Sequence, residues 1–137
     1  MKTFNLEIVT PRRIAYSEAV EFVSVPSSEG EITILPEHIP LFASLNEGEI
    51  CIQKDGENYY LSIGGGFIEV TRSKTSLLVS RAYKAEELNE KTILKAREEA
   101  EEVLKRGPTD TQRIAAQAVL RNTLVDLKVL RRRHRKV

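Results

Sequence analysis

Near residue 85 the hydrophobic pattern changes period from two to about 3.6, so no single type of secondary structure satisfies the whole chain. Before the change, "FNLEIV" sets Phe4, Leu6 and Ile8 on one face of a strand, and "AVEFVSV" reads as a short half-buried or two-sided strand. "EICIQK" and "NYYLSI" flank Asp55-Gly56, the dipeptide of a two-residue hairpin. "FIEVTR" and "TSLLVS" follow, with a polar turn at Ser73-Lys74. Short strands with turn signals every 8–12 residues or so predict a β-sandwich or barrel.

After the change, Asn89 is placed to cap a helix through "EKTILKAREEAEEVLKR", whose apolar stripe is Ile93, Ala96, Ala100, Val103 and Leu104. Gly107-Pro108 stops it, and Thr109 or Asp110 can cap the next helix. The second stripe reads Ile114, Ala118, Leu120, Leu124, Leu127 and Leu130. So short a break predicts an antiparallel helical hairpin. The expected organisation is a β domain over residues 1–85 and a hairpin over 86–137. Two helices bury little by themselves. The hairpin must rest on the β domain, on a partner, or alternate between them.

Charge divides along the same line. Residues 1–87 hold 8 Lys/Arg and 13 Asp/Glu, net −5, whereas residues 88–137 hold 13 and 7, net +6. Such asymmetry points to two functional surfaces. No apolar run approaches the roughly 20 residues that span a bilayer, and "MKTFNLEIVT" lacks the apolar core of a signal peptide. A cytosolic chain is expected, with any membrane association arising through a partner.

Chemistry is thinly represented. His38, His134 and Cys51 lie on three unrelated elements, so a metal site is not expected. No nucleophile stands beside a base, so no catalytic residue is assigned. "GGG" at 64–66 precedes a strand, whereas a phosphate loop needs a helix there; a tight bend or bulge is the expectation. The basic run "KVLRRRHRKV" suits an acidic protein partner, a solvated helix end or nucleic acid. A nucleic-acid-binding module using this tail is the alternative functional reading, although no aromatic platform accompanies it.

"GEITILPEHIPLF" at 30–42 is apolar enough to pair in a sheet, yet Pro36 and Pro40 interrupt it and His38 lies between them. Its residues alone leave a catalytic loop, a metal loop and a docking surface open. Taken with "NLEIVTP" at 5–11, "VPSSEGEITILPEHIPL" at 25–41, "LSIGGGFIEV" at 61–70 and the terminal helical pair, the chain resembles the ε subunit of bacterial and chloroplast F-type ATP synthases (δ in mitochondria) along essentially its whole length. Thr33 and Glu37 depart from the family pattern, standing where glycine is common.

The resemblance implies a sandwich of about ten strands followed by a helix-turn-helix. It implies a non-catalytic subunit of the rotating central stalk, peripheral at the cytoplasmic face of the cell membrane (or the stromal side in a plastid). It couples proton flow at the c-ring to ATP synthesis, with no cofactor, no nucleic-acid partner and no direct membrane insertion. Glu29, Glu31, Ile32, Pro36, His38, Ile39 and Pro40 would dock on the γ subunit and the membrane ring of c subunits, His38 being otherwise a loop histidine satisfied by backbone. The hairpin would fold on the sandwich or extend along γ to the α/β catalytic head. There Arg113, Arg121, Lys128, Arg131, Arg132 and Arg133 would meet an acidic region of β and resist hydrolysis. Some members bind ATP through a pattern like I/L-D-x-x-R-A. Here Leu88 matches, but Asn89, Thr92 and Ile93 replace the carboxylate, the arginine and the small residue, so that pocket is not expected.

Overall fold

Asp55 and Gly56 have φ of 52° and 77°, the left-handed pair that a two-residue hairpin turn requires. They join β6 (Gly48–Lys54) to β7 (Glu57–Ile63), with Lys54 opposite Glu57. The computed structural model describes residues 2–135, with side chains of the last helix described through Arg132. The other strands are β1 (Phe4–Val9), β2 (Ile14–Val20), β3 (Phe22–Ser27), β4 (Gly30–Ile34), β5 (Leu41–Leu45), β8 (Gly66–Val70), β9 (Thr75–Val79) and β10 (Ala82–Lys84). A 3-10 turn at Ala85–Glu87 leads to α1 (Glu90–Lys105) and α2 (Asp110–Arg135).

The strand order is β10-β7-β6-β3-β5-β8-β9-β1-β2, with β4 on β3 off this path. β1 and β9 run parallel. β3 links two layers: Phe22, Val23 and Ser24 pair with β6, and Ser27 pairs with Leu45 of β5. Between the layers lie Leu6, Ile8, Val23, Val25, Ile50, Ile52, Leu61, Ile63, Ile68 and Leu77, each at most 1% exposed. The fold is therefore a ten-stranded β-sandwich followed by an antiparallel helical hairpin. At about 1.5–3 kcal/mol per fully buried aliphatic side chain, this core is the main source of its stability.

"AVEFVSV" is not one strand. β2 ends at Val20 and β3 begins at Phe22, with Glu21 between them. The buried Glu21 carboxylate accepts a hydrogen bond from the Gly56 N–H at 2.8 Å, which ties this corner to the β6–β7 turn. The triple glycine serves close packing. A Cβ on Gly66 would meet the Leu78 carbonyl oxygen at 2.0 Å, and one on Gly64 would meet Ser80 Oγ at the same distance.

The helix boundaries follow local rules. Asn89 Oδ1 accepts from the Thr92 N–H at 3.1 Å. Gly107 at φ 66° ends α1. Thr109 and Gln112 exchange side-chain and backbone bonds at 3.0 and 3.2 Å, a capping box before α2. The packing stripe of α2 includes the expected Leu127 and Leu130 but differs from the expected one elsewhere. Ile114 and Leu124 are 64% and 63% exposed, whereas Ala116, Thr123, Asp126, Leu127, Val129 and Leu130 are buried. The helix is turned so that its i, i+4, i+7 row from Ala116 faces α1 and the sandwich, leaving Ile114 and Leu124 outside.

Candidate interaction surfaces

The loop between β4 and β5 carries the first surface. β4 pairs on one side only, with β3. Pro36 and Pro40 follow and lack an N–H, so the edge cannot extend through the loop. Glu29 and Glu31 are exposed, Ile32 packs partly on the core, Pro36 is half-buried, and Ile39 and Pro40 are exposed. Glu37 adopts φ 65°, and its carboxylate meets Lys2 Nζ at 3.0 Å. A non-glycine residue in this region is strained. His38 Nδ1 lies 2.7 Å from the Ile39 carbonyl oxygen, so that nitrogen carries the proton and donates it. The imidazole is thus engaged by backbone within its own loop.

The second surface was missed from the sequence. On β5 and β8 the inward residues include Leu45, Ile68 and Val70, which turns Phe42 and Phe67 outward. The two rings stack with centroids 5.4 Å apart, and remain 64% and 48% exposed. Phe67 pairs with Leu78 of β9, Leu78 with Val9 of β1, and Val9 with Ile14 of β2. Leu78 and Ile14 are 49% and 62% exposed. An apolar ridge therefore crosses five strands on the outer face. Strand parity in "LFASL" and "GFIEV" was the signal that could have revealed it.

The third surface is the seat of α2 on β6, β7 and the 3-10 turn. Ile93 of α1 clusters with Leu127 and Leu130, flanked by Leu88 and Leu94. Leu88 and Ile93 thus serve packing here, and Asn89 caps Thr92. Beside this cluster Arg81 reaches Asp126. Its Nη2 donates to both carboxylate oxygens at 3.0 and 2.8 Å, and its Nη1 donates to Ser62 Oγ at 3.2 Å. The fully buried Ser62 hydroxyl also donates to Asp126, and the Arg81 guanidinium lies 4.8 Å over the Tyr83 ring. Loss of one member of a buried ion pair costs about 3–5 kcal/mol.

Two expected arm residues join this seat. Arg121 Nε meets Glu47 at 2.6 Å. Arg132 grips both oxygens of Glu49 at 3.0 and 3.2 Å and lies 4.8 Å over the Tyr60 ring. The hydrogen bonds and charge of Glu49 hold the Arg132 proton more tightly than usual. Arg113 pairs within its helix with Asp110. Lys128 and Arg131 are exposed. The expectations for the side chains of Arg133 and His134 lie outside the described residues. Sequence reading missed Asp126, Arg81 and Ser62. The available signal was Asp126 itself, a carboxylate on the leucine face of a helix whose other charges after Asp110 are basic.

Beside this seat is a groove of about 640 Å³, lined among others by Tyr16, Tyr60, Lys54, Lys84 and Arg132. Lys54 pairs with Glu18, and that hydrogen bond lowers the Glu18 carboxyl. Burial, followed by the charge of Glu18, pushes the Tyr16 hydroxyl well above its usual range. Burial likewise raises the Cys51 thiol. Among the described residues no group of three or more His, Cys, Asp or Glu side chains could hold a metal.

Residues 3–85 match the family model for the ATP synthase Delta/Epsilon chain beta-sandwich domain. The ATP synthase epsilon chain of Pelotomaculum thermopropionicum is 45% identical over 103 residues, 75% of this chain and 77% of that one. That of Nitratidesulfovibrio vulgaris is 34% identical over 128 residues, 93% and 96% of the two chains. Among solved structures, a chain of the Euglena gracilis mitochondrial ATP synthase, in a structure of its OSCP, F1 and c-ring, superposes with a TM-score of 0.74 at 22% identity, covering 92% of this chain and 79% of that one. That similarity supports the ten-stranded sandwich and hairpin as a shared fold. The chain belongs to the epsilon-chain family of ATP synthase subunits.

Proposed function

We propose that the chain is a non-catalytic rotor subunit of an F-type ATP synthase. Its sandwich docks on γ and on the c-ring, coupling proton flow to ATP synthesis. Its hairpin, when extended towards the α/β head, restrains ATP hydrolysis. The observation that carries the coupling role is the apolar ridge of Phe42, Phe67, Leu78 and Ile14, exposed and joined through the half-buried Val9 beside a well-filled core. An aromatic-rich strip of this kind suits a stable protein interface. In this reading γ covers the ridge, and Glu31, Ile39 and Pro40 at the neighbouring edge meet the c-ring, with His38 shaping their loop.

The inhibitory role is supported by the basic face of α2. Lys128 and Arg131 are exposed in the folded arrangement, and Arg121 and Arg132 become available once α2 leaves Glu47 and Glu49. No described helix is long and apolar enough to cross a membrane. In this proposal the chain is held peripherally at the cytoplasmic face through its partners.

The test is ATPase activity of the complex reconstituted with full-length chain or with residues 1–87. The expected outcome is retained γ binding with higher hydrolysis for the shorter form. Equal hydrolysis would remove the inhibitory role and leave the coupling role standing.

A further inference from the structure

Three charge contacts seat the folded hairpin, and their signs alternate. Along α2 the order is Arg121, Asp126, Arg132; the sandwich answers with Glu47, Arg81 and Glu49. We propose that this pattern is a ligand-independent latch that fixes one position of the hairpin. In it, Asp126 and Arg81 serve the folded state alone, whereas Arg121 and Arg132 are shared with the extended state. The assignment of the shared pair rests on the inhibitory reading above.

Alternation makes the seat specific. If α2 slides or turns so that Arg121 or Arg132 faces Arg81, like charges meet; the same holds for Asp126 against Glu47 or Glu49. The central contact is the most buried of the three. The side chains of Asp126 and Arg81 are 8% and 20% exposed, and Ser62 completes the carboxylate's bonding, so salt screens this contact little. Among the outer contacts, Arg121 and Glu47 are 55% and 32% exposed and are screened most, whereas Arg132 and Glu49, at 38% and 10%, are intermediate. The Arg121–Glu47 pair therefore guides the helix, the central pair holds it most firmly, and the bidentate Arg132–Glu49 pair adds to that hold.

An acidic partner surface would attract Arg121 and Arg132 but repel Asp126. A carboxylate at that position has no favourable use in the extended arm, and its place among Thr123, Leu127 and Leu130 is explained by Arg81 and Ser62. In this proposal the contact closes through side chains of the two halves alone. Leu88, Asn89 and Ile93, at the positions of the family's nucleotide pattern, cap α1 or pack against Leu127 and Leu130.

The test uses the full-length chain with spin labels at Arg72→Cys and Lys128→Cys in a Cys51→Ser background, read by pulsed dipolar spectroscopy. Asp126→Asn and Arg81→Gln should each raise the unseated population about tenfold or more, and the double variant should add little to either. Addition of ATP should leave the wild-type distance unchanged. Glu47→Lys with Glu49→Lys, at partly buried positions outside the two core clusters, supplies a second perturbation if a central variant does not fold. It should unseat the helix as well. Unchanged distances in the folded variants, or an ATP-driven shift, would overturn the latch. In the reconstituted complex, Asp126→Asn should lower ATP hydrolysis below wild type. Unseating without that decrease would keep the latch and reject the inhibitory reading.

Discussion

Replacing Phe42 and Phe67 with alanine tests the ridge directly. Their exposures of 64% and 48% together leave about one whole phenylalanine surface uncovered, roughly 200 Å². Full coverage by a partner at about 25 cal/mol per Å² would contribute about 5 kcal/mol. Alanine keeps Cβ, and an interface rarely covers every atom, so the expected loss is about 3 kcal/mol, or roughly 150-fold in the Kd for γ. In the free chain the double variant loses the stacking between the rings, about 0.5–1.5 kcal/mol, and their partial burial on the outer face, but no residue of the buried core cluster. Titration calorimetry with purified γ measures the affinity, and thermal unfolding reports the fold. Leu124→Ala, equally exposed but on the arm, is the control and should leave sandwich docking unchanged. A double variant that folds normally and binds γ within about threefold of wild type would refute the assignment of the ridge.

Gly66→Ala places a Cβ 2.0 Å from the Leu78 carbonyl oxygen and 2.8 Å from Val79 Cα. Because both are backbone atoms of a central strand, about 3 kcal/mol of stability should be lost; Gly65→Ala, 3.4 Å from its nearest neighbour, should cost far less, and equal melting temperatures would contradict this packing. Glu37→Gly relieves a left-handed residue worth about 1 kcal/mol, less the entropy of glycine, and gives up only the exposed pair with Lys2. The net gain is at most about 0.5 kcal/mol, so a rise of no more than about 2 °C in Tm is expected, and a fall would mean that Lys2 matters more than the backbone. Burial, with Glu18 adding, raises the Tyr16 hydroxyl, so its folded value lies above the unfolded one near 10. Its contribution is fully present below about pH 10 and is lost as pH rises through the folded value. Tyr16→Phe should therefore flatten the alkaline decline in urea stability between about pH 9 and 11, and a parallel decline in both proteins would sink that explanation.

What was legible in the sequence was what local physics decides. Asp55-Gly56 turns because two adjacent residues must be left-handed, and Asn89 and Thr109 cap because their side chains reach amides three residues on. Period two placed Leu6 and Ile8 inside, and carried to "LFASL" and "GFIEV" it also places Phe42 and Phe67 outside. "AVEFVSV" read as one strand because nothing local marks Glu21 as a corner; its carboxylate is held by Gly56, thirty-five residues away. The stripe of α2 was misread at Ile114 and Leu124 for a related reason. A helix with apolar residues on more than one face has no internal rule for choosing the face that packs.

Asp126 shows why that choice matters for function. In the sequence it is an acidic residue in a basic helix, and a solvated position is the ordinary expectation. Its burial becomes favourable only after the β9–β10 turn presents Arg81 and β7 presents Ser62, both from the other half of the chain. The charge asymmetry between halves had suggested that the hairpin was built for an acidic partner outside the chain. The sandwich is itself acidic, however, and Glu47 and Glu49 already engage two of the expected cations. Those two cations alone would place the arm by a competition between similar surfaces. One opposite charge, set between them and matched from the sandwich, would make the folded seat chemically different from the acidic surface proposed for the extended arm.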